Sequence, residues 1–373
     1  MVVVVAGDAG GAAALVPVIT TLISDGRVAV HTVAYGPACD TWSVRGIRID
    51  EDAELSQVDP EHRLADTQAA LLLVGTSLNA VMLEQRFVRV ARTMGVPSVA
   101  VLDSWVNYVE RFLDESGQAF TVPDRIAVMD EHARAEMIQQ GIADALLVVT
   151  GQPAFDDVLA HRDGFTADRR RHIRDVWGAT DDDSVVLFAS QPLSELYGAD
   201  PGGARHFGYD EQQVARRLIG ALERAARDAG RSVMLVLRPH PREDPAWMRA
   251  LTGADIRVTV SDNGSARDAA LAAELVAGMS SALLIEACYM QCVVISLQPG
   301  LRREDVLPTN RMRYTQPVYH DSDIEPTVKR LLFDQGFRAA LIERLRGISL
   351  PGGAARRVVD LLYRALDTHP TAI

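Results

Sequence analysis

Short aliphatic runs, each broken by small polar residues and followed by a helical pattern, recur along the whole chain and most constrain its fold. The first is Val2 to Ala6, which ends at Gly7-Asp8-Ala9-Gly10-Gly11 and leads into helical periodicity over Ala12 to Ser24. A near-continuous apolar run of this length marks a strand buried on both faces, as in a parallel sheet. Val28 to Ala34, Leu71 to Ser77, Pro97 to Leu102, Asp124 to Met129 and Leu146 to Val149 repeat it, with helices expected over Asn79 to Gly95 and after Asp130-Glu131-His132. In the second half the strands are Val185 to Ala189, Val233 to Leu237, Ile256 to Val260, Leu275 to Ala277 and Val293 to Leu297. Helical patterns cover Asp210 to Ala229, Asp323 to Leu332, Phe337 to Arg346 and Ala354 to Leu366. Alternating β and α elements of these lengths imply doubly wound parallel sheets.

A chain of 373 residues is long enough for two such domains. Phe155 to Asp183 changes character, carrying Arg162, Arg169, Arg170, Arg171, Arg174 and Asp181-Asp182-Asp183. It has room for one exposed helix, about Thr166 to Trp177, and little core. The expected division is a first domain over 1–160, a charged junction over 161–183 and a second domain over 184–350. A terminal helix and tail, 351–373, would pack back on the first domain. The Asp triplet reads as a solvated turn before a strand rather than a metal site. Glu195 to Tyr209, rich in glycine, reads either as a lid or as a plain flexible loop.

Lys and Arg number 38 against 50 Asp and Glu, a formal net charge of -12. That disfavours a protein that coats nucleic acid, which needs clustered cations. The cysteines, Cys39, Cys288 and Cys292, show no paired spacing and fit a reducing compartment. No CxxC or HExxH occurs, so neither a metal nor a cofactor is expected. The apolar start at Met1 is too short for a signal peptide or a membrane span. The reading is a cytoplasmic protein with no integral membrane segment.

Ligands of open parallel sheets bind at the carboxyl ends of the strands. Two loops there stand out. Arg238-Pro239-His240-Pro241 follows one strand, and its prolines hold His240 extended. Its imidazole can donate to a phosphate oxygen, with charge from Arg238 or Arg242, or it caps its own loop. Gly278-Met279-Ser280-Ser281 follows another strand and opens a helix. There a serine can cap the helix, bind an anion together with the free amides, or do both. Ser190-Gln191 ends a third strand, and Glu286, five residues beyond Ser281, could take ribose hydroxyls or be a paired structural residue.

The first half offers weaker candidates. Gly10 and Gly11 let the backbone approach a ligand, or simply make a tight turn; Asp8 is the one ionisable side chain there. Asp103, Ser104, Trp105, Asn107, Tyr108, Glu110 and Arg111 crowd one loop. Aromatic and amide groups suit a carbohydrate acceptor; alternatively, Trp105 and Tyr108 are core residues at a helix start.

These residues carry a resemblance. Two α/β halves, a terminal helix and a nucleotide site in the second half resemble the GT-B glycosyltransferase superfamily. Arg238-Pro239-His240-Pro241 and Ser280-Ser281 resemble the HP and SS motifs of its sialyl-, polysialyl- and Kdo-transferase-like branches, in which the histidine and hydroxyls hold the donor phosphate and activate the departing CMP. Thr150-Gly151-Gln152-Pro153-Ala154-Phe155-Asp156 resembles the wider superfamily, which includes the non-hydrolysing UDP-sugar 2-epimerases; Pro-His-Pro elements also occur in CDP-glycerol glycerophosphotransferases. The resemblance implies two Rossmann-like doubly wound domains facing across a cleft. It implies a metal-independent glycosyltransferase that uses a CMP- or UDP-linked sugar and a glycan or small-molecule acceptor, with a homodimer left open. The donor site would comprise Ser190, Gln191, Arg238, His240, Pro241, Gly278, Ser280, Ser281 and Glu286. The acceptor site would comprise Gly10, Gly11, Trp105, Asn107 and Tyr108. His240 would assist departure of the phosphate, and Asp8 or Asp103 would be the base. The D/E-D/E-G motif of many HP/SS enzymes is missing; Asp114-Glu115-Ser116-Gly117 is a loose echo. The epimerase Ser-Gly-Gly turn is replaced by Met279-Ser280-Ser281, and no His-Arg-x-Glu-Asn stretch occurs. An epimerase, a glycerophosphotransferase and a non-catalytic nucleotide-sugar-binding subunit are the rival readings.

Overall fold

The structure, a computed structural model, describes residues 1–52, 59–77, 81–114, 117, 120–348 and 352–368. The chain forms two compact units, one of Met1–Asp157 with Leu350–Ile373 and the other of Val158–Ser349. In the first unit, seven strands form one sheet: β1 (Val2–Ala6), β2 (Val30–Ala34), β3 (Glu51–Asp52), β4 (Leu71–Val74), β5 (Ser98–Val101), β6 (Arg125–Val128) and β7 (Leu147–Val149). The order is β3-β2-β1-β4-β5-β6-β7, and every pair is parallel. Burial from both sides explains the unbroken apolar composition of β1, whose five residues are wholly buried. The helices Ala9–Asp25 and Ala354–Thr368 share one core with the strand residues Val2, Val4, Leu71 and Val99. The terminal helix is tied down at its start by Asp156, whose carboxylate accepts from the amides of Gly353, Ala354 and Ala355 at 2.8–2.9 Å. Such a carboxylate satisfies the orphan amides of a helix start and complements its dipole.

The second unit has a six-stranded sheet of β8 (Ser184–Ala189), β9 (Val233–Arg238), β10 (Arg257–Val260), β11 (Leu275–Gly278), β12 (Val294–Leu297) and β13 (Gln316–Val318), in the order β10-β9-β8-β11-β12-β13. It too is parallel throughout. The short strands β3 and β13 and the helices Pro37–Val44 and Pro60–Asp66 escape the hydrophobic pattern because each is brief and half-exposed. Residues 78–80, where a helix is expected to begin, lie outside the described residues; the helix seen there is Leu83–Met94.

The charged stretch 161–183 is part of the second unit, not a separate junction. Its helix, Ala167–Trp177, is held by ion pairs. Arg169 and His161 both meet Asp268, and Arg170 and Arg174 grip Glu274. The partners lie about a hundred residues away, so composition shows the charges and not their pairing. Asp183, the last of the Asp triplet, is buried and accepts from Thr180 Oγ1 at 2.8 Å, Ser232 Oγ at 2.5 Å and Arg257. Burial opposes its ionisation, yet these donors hold its carboxyl well below the usual carboxylate range.

Glu195 to Tyr209 is not a loose insertion. After the short helix Leu193–Tyr197, Phe207 and Tyr209 turn inward and are buried. Tyr197 and Phe207 meet edge to face at 4.8 Å, and the amide of Arg302 donates to Phe207 O at 2.9 Å. Gly208 sits at φ +100, where a Cβ would lie 2.0 Å from Gly300 O. Gly208→Ala therefore meets both a forbidden backbone conformation and a backbone clash. It should lower unfolding free energy by about 1–3 kcal/mol or more, read from urea denaturation. Asp183→Asn should destabilise at neutral pH. Because the native carboxyl is depressed, its contribution is present above the unfolded value near ~4 and is lost as pH falls through the native one. Denaturation of wild type and variant at a series of pH values should show the gap closing on acidification; a gap independent of pH would refute the assignment.

Candidate functional site

In the second unit the chain runs outward from β8 to β9 and β10, then returns to lay β11 on the other side of β8. This reversal leaves a crevice at the carboxyl ends of β8 and β11. It brings together Ser190-Gln191 after β8, Arg238 to Glu243 at and after β9, and Ser280-Ser281 after β11. The amide of Ser280 donates to Gln191 Oε1 at 2.8 Å, tying two of the loops. A cavity of about 480 Å3 opens here, lined by Gln191, Arg238, His240, Glu243, Asp262 and Ser281 among others.

His240 is set by its turn. Its backbone amide donates to Glu243 Oε2 at 3.0 Å, and its Nδ1 accepts from the amide of Arg242 at 3.2 Å. With Nδ1 accepting, the proton of a neutral ring resides on Nε2. Burial, and then the Arg242 charge, pushes the His240 pKa below its ordinary value. Ser281 occupies the N-cap of the helix Ala282–Tyr289, yet its side chain makes no capping bond. Its hydroxyl is shielded from solvent and has no hydrogen-bond partner.

Several of the expected donor residues do something else: Ser190 spends its hydroxyl on Glu243, and Ser280 does not line the cavity. Arg238 lines the cavity, but its guanidinium donates to the carbonyls of Ser261 (3.1 Å), Asn263 (2.5 Å) and Gly264 (2.5 Å). It closes the loop after β10 and is not a free charge for phosphate. Glu286 is held by Arg267 through two bonds of 2.9 and 3.0 Å and does not line the cavity; its oxygens are occupied by the guanidinium. Gly278 serves packing, since a Cβ there would lie 2.9 Å from Ala189 O and 3.2 Å from the Leu284 side chain. The sequence reading missed Glu243, which accepts from Ser190 Oγ at 2.9 Å as well as from His240. Its signal was its spacing: a Glu three residues after the residue whose amide it accepts repeats the logic of a capping box.

In the first unit, Asp8 caps the helix Ala9–Asp25, accepting from the Gly11 amide at 2.7 Å. Gly75, just after β4, lets that helix approach closely, since a Cβ on it would stand 3.1 Å from Gly11 Cα. With its amide taken and its surface buried, Gly11 offers nothing to an acceptor. Gly10 leaves room for Asp103, whose Oδ2 would lie 2.3 Å from a Cβ there. Asp103 Oδ1 accepts from Thr76 Oγ1 at 2.8 Å and Arg111 Nη1 at 2.5 Å. Burial raises the Asp103 pKa, Arg111 opposes the rise and Asp8 adds to it.

Trp105 and Tyr108 are core residues, 3% and 2% exposed, so neither ring is a platform for an acceptor. Their polar ends donate to Asp130 Oδ2 (2.8 Å) and Glu136 Oε2 (2.7 Å). Asn107 is exposed at φ +55, a turn position that suits asparagine. Glu84 was not anticipated. It is buried and accepts from the Gly7 amide at 2.6 Å and from Ser77 Oγ. Its place in phase with Leu83, Phe87 and Val88, all buried, was the available signal. The Asp114 to Gly117 echo falls partly outside the described residues. Among those described, no group of three or more His, Cys, Asp or Glu side chains could hold a metal, and no helix is long and apolar enough to cross a membrane.

No protein-family model matches the chain, and no curated protein sequence matches it. Solved structures do match it in shape. UDP-GlcNAc 2-epimerase of Neisseria meningitidis bound to UDP-GlcNAc superimposes with a TM-score of 0.65 at 13% identity, over 97% of this chain and 99% of that one. The fold is GT-B-like. MurG of Acinetobacter baumannii gives 0.61 at 14% identity over 97% and 99% of the two chains. A glycosyltransferase of Rickettsia africae gives 0.61 at 9% identity over 100% and 99%. At these identities the likeness is one of fold. The geometry of His240 can be checked directly. In 15N-histidine spectra, the resonance lost in His240→Ala should report an Nε2–H ring that titrates below about 6.5; an Nδ1–H ring would contradict the structure.

Proposed function

We propose that the cavity of the second unit binds the phosphate of a nucleotide-activated sugar and that the protein is a glycosyltransferase. One observation carries this reading: the uncommitted polar groups converging on the cavity are donors. They are the Nε2–H of His240, the amide NH2 of Gln191, whose oxygen is taken by Ser280, the hydroxyl of Ser281 and the first amides of the helix Ala282–Tyr289. The carboxylates in the wall are already engaged, Glu243 by Ser190 and His240, and Asp262 by Arg249 at 2.7 Å and Asn263 at 3.0 Å. A set of donors at a helix start suits an anion, and fixed donors aimed at a departing phosphate offset the charge that develops there. The remaining walls, with Pro192, Leu196, Pro239, Pro241, Pro245 and Leu283, are apolar and suit a ring. The cavity is of the size of ordinary small-molecule sites.

Asp103 is the favoured base for an acceptor hydroxyl. A raised carboxyl pKa favours proton uptake; Asp8 and Asp103 each spend one oxygen on hydrogen bonds. The second reading is a nucleotide-sugar 2-epimerase, favoured by the near full-length superposition on the Neisseria enzyme. Both readings share the phosphate site.

Thermal-shift measurements with CMP, CDP, UDP, GDP and dTDP test that site. One nucleotide should raise the apparent stability, by about 2.7 kcal/mol at a hundredfold excess over Kd, and His240→Ala and Ser281→Ala should each diminish the shift. Absence of any shift would refute the nucleotide site. The cognate nucleotide sugar then separates the readings: a glycosyltransferase turns over only with an acceptor, and an epimerase forms product from the nucleotide sugar alone.

A further inference from the structure

We propose that Glu243 is the positioning residue of this cavity, clamping the His240 turn to the end of β8 and fixing His240 as an Nε2–H donor. The proposal rests on the phosphate reading above. The clamp works in both directions. The Glu243 amide donates to His240 O at 2.9 Å, and the His240 amide donates back to Glu243 Oε2 at 3.0 Å. The four-residue turn is thereby closed once by backbone and once by side chain. Closure places the Arg242 amide 3.2 Å from His240 Nδ1, and that bond selects the tautomer. The other carboxylate oxygen reaches the neighbouring strand end, accepting from Ser190 Oγ at 2.9 Å, with Trp247 Nε1 at 3.3 Å. One side chain thus joins the loops after β8 and β9, both of which line the cavity.

Position and chemistry agree. Pro239 and Pro241 stiffen the approach to the turn but cannot close it, because proline has no amide hydrogen to give. A group is needed that accepts from the His240 amide and from a neighbouring strand at once, and a carboxyl at the third residue onward has that reach. Burial pushes the Glu243 carboxyl up, while the bonds from His240, Ser190 and Trp247 pull it down. The clamp requires acceptors rather than a charge. A glutamine could turn its oxygen to the His240 amide and its NH2 to Ser190, whose hydroxyl can rotate to accept, but it gives up the 3.3 Å bond from Trp247 Nε1, which can only donate.

Glu243 therefore acts through His240. The test uses the full chain with two readouts, the Kd for CMP and UDP and the 15N tautomer signature of His240 in the free protein. Glu243→Ala should weaken binding of the nucleotide that wild type prefers about tenfold (~1.4 kcal/mol) and turn the His240 signal into a mixture of tautomers. Glu243→Gln should restore most of both. A fold-stabilising role alone would lower Tm and leave the tautomer and Kd as in wild type, which would overturn the proposal. Failure of the glutamine variant to rescue in a Trp247→Phe background, where no indole N–H opposes its NH2, would also overturn it, because a charge would then be needed. If Glu243→Ala does not fold, Glu243→Asp takes its place: its carboxyl falls a methylene short of bridging Ser190 and His240, and the same outcomes decide. Should neither nucleotide bind wild type, the tautomer measurement alone decides whether Glu243 sets His240, and the phosphate reading stands or falls on the five-nucleotide thermal shift.

Discussion

Both sheets are parallel throughout, and most of what can be said about the molecule depends on that. A parallel pair needs a crossover connection, and the chain supplies it with helices that bury the sheet faces. Every strand of a sheet then ends at the same edge. Where the order reverses, at β1–β4 in the first unit and β8–β11 in the second, adjacent loops diverge and leave space. The cavity beside Gln191, His240 and Ser281 is a consequence of that reversal.

A second regularity is the use of carboxylates as acceptors for several donors at once. Asp156 receives three amides of the terminal helix. Asp305 receives Gln298, Leu307, Asn310 and Tyr319 at 2.6–2.9 Å. Glu84, Asp103, Asp183 and Glu243 behave alike. In each case the donors come from segments distant in sequence or from loops that no strand holds. A carboxylate has two acceptor oxygens and no donor when ionised, so it can satisfy several buried or half-buried amides and hydroxyls together. These carboxylates thus serve the internal wiring of the chain rather than its surface charge.

Apart from the short β3 and β13, the strands were legible to within about three residues because a strand buried on both faces must be apolar along its length. The loops after β9 and β11 were legible as neighbours of one crevice because each follows such a strand. The roles of individual side chains were less so. Arg238 stands beside His240 in sequence and looks like its cationic partner, yet three carbonyls from the loop after β10 claim it. Trp105 and Tyr108 lie in a loop rich in polar residues, yet their rings are buried and only their polar ends reach Asp130 and Glu136. Glu243 stands at capping-box spacing from His240, but a surface Glu can stand there as well, and only its reach to Ser190 shows the clamp.

Hydrophobic period and loop chemistry, which are local properties, by themselves determined the alternating α/β organisation, the strand ends on which the candidate site stands and the presence of an anion-suited helix start. Only the tertiary structure decided which charges are spent and which donors remain free. A polar side chain satisfies its hydrogen bonds with whatever group folding brings near, and for Arg238, Glu286 and Asp103 that group comes from another segment of the chain.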